Sequence, residues 1–148
     1  MPARFRRRSE PVARPCRPLI VVSNREPYLH AYGPDGRVTW SKTPGGVSVA
    51  LDALMRERGG LWIAHGAGPA DREVVDARDR LKVPPDGPRY TLRRIWLTEE
   101  EERRYYGGFA NEGLWPLCHL VHVRPTFRAK DWAAYQRVNA RFADAIAD

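Results

Sequence analysis

Two short segments carry residues able to hold an anion. Leu19-Ile20-Val21-Val22 is an apolar, mostly β-branched run that passes into Ser23-Asn24-Arg25, and twenty residues beyond Arg25 comes the pair Gly45-Gly46. The apolar run, bounded by Pro18, predicts a strand covered on both faces in a parallel sheet, with Asn24 and Arg25 at its carboxyl end. Ligands of open α/β sheets collect at that edge, and a guanidinium there offers a planar fork that matches phosphate or carboxylate. Gly45 and Gly46 precede Val47, Ala50, Leu51, Leu54 and Met55, which recur at helical spacing. The pair therefore falls at a helix N-terminus, where free N–H groups can face an oxyanion with no Cβ in the way. Each feature also has a plainer reading, Arg25 as a solvated loop residue and the glycines as a turn.

A second group could bind a sugar. Tyr105, Tyr106 and Trp115 flank a stretch rich in glycine, Gly107 to Gly113. Aromatic rings beside a sheet edge stack on sugar rings while their polar tips donate hydrogen bonds, although the same rings could simply pack their segment down.

The elements that must position these residues follow from periodicity. Tyr28 to Tyr32, the turn Gly33-Pro34-Asp35-Gly36 and Arg37 to Trp40 read as a hairpin between the first strand and the first helix. Gly59-Gly60 ends that helix, and Leu61-Trp62-Ile63-Ala64 is a second short buried strand running into His65, which completes a βαβ unit. Pro69 to Pro88 reads as loop with some helix, and Tyr90 to Leu97 alternates as a strand. Thr98-Glu99-Glu100-Glu101 is a capping box opening a helix to about Tyr106, and Gly107 to Pro116 reads as loop. From Ala129 onward Trp132, Tyr135, Val138, Phe142 and Ile146 form one apolar stripe on a long helix. The expected fold is α/β, a Rossmann-like, open and mostly parallel sheet with flanking helices.

Composition sets the class. With 148 residues, 43% of them apolar, and five Trp, the chain can build one core and is neither a disordered nor a membrane sequence. Residues 1–18 hold six arginines and one glutamate, a net +5 of the whole chain's +7, so the basic character belongs to a tail expected to be disordered. No RNA-binding aromatic signature accompanies it, and nucleic acid is not the expected partner. No apolar run approaches the roughly 20 residues of a membrane span, and Leu19 to Val22 is too short for a signal-peptide core, which points to the cytoplasm. Cys16 and Cys118 show no metal-ligand spacing and read as free thiols.

Taken in order, Val22-Ser23-Asn24-Arg25, Pro44-Gly45-Gly46, Gly60-Leu61-Trp62, Tyr105-Tyr106 through Phe109, Leu114-Trp115-Pro116 with His119, and Tyr135-Gln136-Arg137-Val138-Asn139 resemble the N-terminal part of the trehalose-6-phosphate synthase family over residues 19–148. The resemblance implies an incomplete N-terminal domain of a GT-B glycosyltransferase that moves glucose, with retention, from UDP-glucose or another nucleotide-glucose to glucose-6-phosphate, without metal or other cofactor. By motif, Arg25 and Tyr106 bind the acceptor phosphate, Trp115 lines the acceptor sugar pocket, and Gly45 and Gly46 lie against the donor. Asn24 and His65 are further pocket candidates. The familiar pattern has a second tryptophan where this chain has His65, and the insertion between Arg25 and Gly45 is longer than in the shortest members. Both departures bear on acceptor choice. The family's catalytic residues are expected beyond the end of this chain, which alone is expected to be inactive with an exposed sheet edge. A standalone sugar-phosphate-binding module and a sister transferase such as glucosylglycerol-phosphate synthase are the alternatives. A homo-oligomer or a partner chain stays open.

Overall fold

The computed structural model describes residues 18–119 and 122–148. The arginine-rich tail, apart from Pro18, and Cys16 lie outside the described residues. The chain runs β1 (Ile20–Arg25), β2 (Tyr28–Tyr32), β3 (Val38–Lys42), α1 (Gly46–Arg58), β4 (Leu61–His65), β5 (Arg80–Val83) and β6 (Tyr90–Ile95). Then come α2 (Glu99–Glu102), a π-helical stretch (Arg103–Leu114), α3 (Trp115–Cys118) and α4 (Ala129–Ala147). A four-stranded sheet has the order β1-β4-β6-β5, with β1, β4 and β6 parallel and β5 antiparallel to β6. The β2–β3 hairpin forms its own two-stranded sheet, Tyr28 opposite Lys42 and Tyr32 opposite Val38. The expected α/β sheet, hairpin and βαβ unit are all present.

Strand alternation sorts the side chains to two cores. On one face Val21, Trp62, Ala64, Val83, Tyr90 and Leu92 pack with Tyr28 of the hairpin and Met55 of α1. On the other, Ile63 and Ile95 pack against Tyr105 and against Ala134, Val138, Phe142 and Ala145 of α4. Trp62 stacks on Tyr90, ring centroids 6.1 Å apart.

Four sequence expectations need correction. First, β1 is not covered on both faces: Ile20 and Val22 are 42% and 43% exposed, and only Val21 turns into the core. Second, β5 lies in the Pro69 to Pro88 segment read as loop with some helix, because its charged residues hide a strand that pairs with β6 along Arg80–Arg93 and Val83–Tyr90. Third, Gly107 to Pro116 is helical. The capping box forms as expected, Glu101 N–H donating to Thr98 Oγ1 at 3.2 Å and Thr98 N–H to the Glu101 carboxylate at 3.0 Å. The helix then continues through the glycines because they admit close neighbours: a Cβ at Gly108 would lie 2.6 Å from the Asp131 carboxylate, and one at Gly113 2.6 Å from the Phe127 ring. Phe109 closes the contact with α4 against Tyr135 at 4.6 Å and Trp132 at 5.0 Å. Fourth, the buried stripe of α4 is Asp131, Ala134, Val138, Phe142 and Ala145, so Trp132 and Ile146 at its margin stay exposed.

Helix α1 carries a related surprise. Its buried residues are Asp52 and Met55, while Val47, Val49 and Leu54 are exposed. Asp52 is satisfied inside: Tyr28 and Tyr90 donate to it at 2.9 and 2.7 Å, and Arg56 Nε at 3.0 Å. Burial pushes the Tyr28 hydroxyl up to about 12, and burial followed by Asp52 raises that of Tyr90. Both phenols therefore stay protonated as donors to the one carboxylate.

Candidate functional site

The carboxyl end of β1 is shaped by a break in its pairing. Ser23 aligns with Ala64 but Arg25, not Asn24, aligns with His65, so Asn24 is an extra residue in the ladder. Such bulges re-aim the side chains at a strand's end. The backbone beyond it is tied down: Trp62 Nε1–H donates to Ser23 Oγ at 2.9 Å, and Ser23 Oγ–H donates to the Arg25 carbonyl at 2.7 Å. The Arg25 side chain itself is exposed and forms no ion pair among the described residues.

Facing it is the start of α1. Gly45 has φ 143°, a conformation L side chains rarely adopt, and no side chain caps the helix. Nothing lies within 4 Å of where a Cβ of Gly45 or Gly46 would stand. The uncapped N–H groups of the first turn are thus the positive end of a 13-residue helix opening onto unobstructed space. Between β1 and α1 is a cleft of about 440 Å³ lined by Ser23, Asn24, Arg25, Pro44, Gly45, Gly46, Val47, Ser48, Leu51, Trp62 and Tyr106.

A smaller chamber of about 240 Å³ adjoins the cleft on the hairpin side, lined by Asn24, Arg25, Glu26, Leu29, Thr43, His65, Ala67, Glu102 and Tyr106. Asn24, Arg25 and Tyr106 border both spaces. His65 is buried, its Nδ1 3.3 Å from the Ile95 carbonyl and its Nε2 3.6 Å from Glu102. A carbonyl can only accept, so Nδ1 is the donor toward Ile95, while Nε2 faces the Glu102 carboxylate.

Behind the chamber lies a buried ionic cluster. Arg94, 1% exposed, donates from Nε to Glu26 at 2.6 Å, from Nη1 to the Asp71 carbonyl at 2.8 Å and from Nη2 to the Tyr28 carbonyl at 3.0 Å. Its Nη2 also lies 2.8 Å from Asp71 Oδ1. Asp71 accepts from the backbone N–H groups of His30 and Gly68, and Glu26 accepts from that of Ala67. Two carboxyls thus share one guanidinium. Burial, followed by a hydrogen bond with Asp71, pushes Glu26 up to about 8 against the pull of Arg94. Burial also works against the Asp71 anion, but bonds from His30 and Glu26 and the Arg94 charge outweigh it and hold Asp71 below the usual carboxylate range.

Of the residues singled out from the sequence, Asn24, Arg25, Gly45, Gly46 and Tyr106 come together at the cleft, and His65 joins the chamber beside it. Trp115 borders neither space; it is exposed and stacked on His119 at 4.7 Å. Glu26, Thr43, Glu102 and Arg94 were not singled out. Only Arg94 left a signal, a charge on the inward parity of Tyr90 and Leu92. Among the described residues no cluster of His, Cys, Asp and Glu could hold a metal ion, and no helix is long and apolar enough to cross a membrane.

Known proteins resemble the chain in sequence and in fold. The chain is 41% identical over 129 residues to the trehalose-6-phosphate synthase of Mycolicibacterium gilvum, covering 87% of this chain and 25% of that protein. An α,α-trehalose-phosphate synthase (UDP-forming) from Burkholderia xenovorans, solved in complex with glucose-6-phosphate, superimposes with TM-score 0.57 at 26% identity over 88% of this chain and 25% of that one. The E. coli protein bound with UDP-2-fluoro glucose superimposes with TM-score 0.55 at 28% identity, over 84% and 23% of the two chains. The chain thus spans about a quarter of the length of these relatives. With residues 17–148 matched by the model of Glycosyltransferase family 20, the chain belongs to that family.

Proposed function

We propose that residues 19–148 are part of the N-terminal Rossmann-like domain of an α,α-trehalose-6-phosphate synthase, a cytoplasmic retaining glycosyltransferase that moves glucose from UDP-glucose, or another nucleotide-glucose, to glucose-6-phosphate. The observation that carries this reading is the exposed Arg25, without an ion pair among the described residues, facing the uncapped start of α1 across one cleft. A cleft of about 440 Å³ falls within the range of sites for small molecules and cofactors. There the N–H groups at Gly45 and Gly46 receive the donor's diphosphate, since the helix terminus favours negative charge and no Cβ holds the ligand off. Arg25 takes the acceptor phosphate by a bidentate, charge-assisted contact, with the Tyr106 hydroxyl at its rim. Held this way, the acceptor hydroxyl is brought up to the donor's anomeric carbon, and what these residues supply is proximity and orientation rather than proton transfer. Trp115, exposed on α3, reaches the acceptor sugar only if its segment shifts when ligand binds.

The polar wall formed by His65 and Glu102 favours a second reading of the acceptor, a smaller polyol phosphate such as glycerol-3-phosphate in a sister transferase. Calorimetric titration of the purified chain with glucose-6-phosphate and with glycerol-3-phosphate tests both. The synthase reading predicts saturable binding of glucose-6-phosphate, weakened by about 1.5–3 kcal/mol in Arg25→Ala, the range for hydrogen bonds to charged groups. Preference for glycerol-3-phosphate moves the assignment to the sister activity, and binding of neither by the folded chain removes a preformed acceptor site.

A further inference from the structure

Glu26 follows Arg25 directly in the chain and lines the chamber that Arg25 borders, but it does not line the cleft itself. Its carboxyl belongs to a closed charge cluster. Arg94 Nε donates to Glu26 at 2.6 Å and Arg94 Nη2 lies 2.8 Å from Asp71 Oδ1, all three side chains being buried. Two carboxyls thus contend for one guanidinium, and ionising both leaves one negative charge that Arg94 does not compensate. The proton belongs to the pair, and burial together with Asp71 places its loss at about 8 on Glu26.

We propose that Glu26 acts on the acceptor site through Arg25: the proton held by Glu26 and Asp71 keeps a second negative charge away from the acceptor phosphate, and binding of that phosphate draws the proton in. This inference rests on the acceptor assignment above, with the phosphate at Arg25 and the sugar in the cleft toward α1, and deepens it. Glu26 is a positioning residue and not a ligand. The linkage is reciprocal. An anion at Arg25 makes a nearby buried negative charge costlier and so tightens the pair's hold on its proton, and losing the proton loosens the anion by the same factor. Affinity is therefore highest below pH 8 and falls as pH rises through it. The other charged or titratable groups facing Glu26 are distributed over several elements. Arg25 of β1 and Arg94 of β6 flank it, and the His30 ring of β2 lies beside Asp71 with Nδ1 3.2 Å from Oδ1. Across the chamber stand His65 of β4, Glu102 of α2 and Tyr106. All of them are kept in Glu26→Gln, so a difference between the two pH profiles belongs to Glu26.

The test is calorimetric titration of the full chain, as wild type, Glu26→Gln and Arg25→Ala, with glucose-6-phosphate from pH 7 to pH 9.5, where a phosphate monoester is almost entirely the dianion. At pH 8 the wild type is titrated in two buffers of different ionisation enthalpy, which counts the protons taken up. The expected wild-type result is a fall in affinity of about twofold to tenfold across the range, the order expected of one unit charge acting across a partly buried site. The matching uptake is about 0.2–0.4 proton per ligand at pH 8. Glu26→Gln holds a level affinity over the same range, and Arg25→Ala binds weakly throughout. An equal fall in Glu26→Gln, or wild-type binding without proton uptake, overturns the role of Glu26 while leaving the Arg25 site standing. The proton count is read on the wild type and decides even where Glu26→Gln does not fold. If the wild type does not bind glucose-6-phosphate at any pH, or Arg25→Ala binds it as well as wild type does, the acceptor assignment fails and takes this inference with it.

Discussion

At the residue scale, Arg25 and Glu26 are neighbours in sequence with opposite fates. The guanidinium of Arg25 is left exposed at the cleft with no ion pair among the described residues, while the Glu26 carboxyl is buried against Arg94 with Asp71 beside it. Glu26 titrates near 8 in the folded chain against 4.5 when unfolded, so the folded state holds a proton that the unfolded state releases between those values. Stability therefore falls as pH rises from about 4.5 to about 8 and levels off above. Asp71, held below its usual value, acts in the opposite sense, its contribution being lost as pH drops below the ordinary aspartate range. Thermal unfolding followed from pH 5 to pH 9 should show Tm declining toward pH 8 in the wild type and a flatter profile in Glu26→Gln, whose side chain cannot ionise. An equally steep decline in the variant would assign the slope to another group. Arg25 was legible because a cation at a strand's end has an obvious use. Glu26 was not, because a carboxyl's burial depends on residues that only the fold brings near.

At the element scale, strands and helix starts were the legible part. The apolar run of β1, the alternation of β6, the turn at Gly33–Gly36 and the Thr98 capping box each carry a local signal, and each element stands where that signal put it. The capping box also reaches across the molecule, since Arg141 of α4 grips the Glu101 carboxylate at 2.5 and 3.0 Å. Thr98→Ala should cost about 0.5–2 kcal/mol, the usual loss for an N-cap, measured as a shift in denaturant midpoint. No shift would mean that the Arg141 contact alone sets the start of α2. What could not be read were elements defined by their neighbours. Strand β5 exists through its pairing with β6, and the glycines of the π-helical stretch mark close approach to Asp131 and Phe127 rather than chain reversal. Composition looks the same in either case.

For the whole molecule, the described sheet leaves β1 at its edge with Ile20 and Val22 exposed, and Val47, Val49 and Leu54 of α1 are exposed as well. An open strand edge with apolar flanks is a template for pairing with another chain. Val22→Lys should therefore lower self-association, seen as less concentration-dependent light scattering, with the far-UV spectrum unchanged. Equal scattering in the variant would place association elsewhere. Family membership was legible in full, because its motifs sit at the ends of strands and the starts of helices, where local spacing decides position. The place of Trp115 could not be read from its motif. Its place depends on how the segment after the π-helical stretch lies, and in the folded chain its ring stacks on His119 away from both spaces.

The central claim is that a sugar phosphate binds where the end of β1 meets the start of α1, and a backbone amide NMR titration of the labelled chain with glucose-6-phosphate tests it most directly. The account predicts saturable shifts concentrated at Asn24, Arg25, Gly45, Gly46 and Tyr106 that disappear in Arg25→Ala. Shifts centred on other elements, or a pattern unchanged by Arg25→Ala, would contradict it.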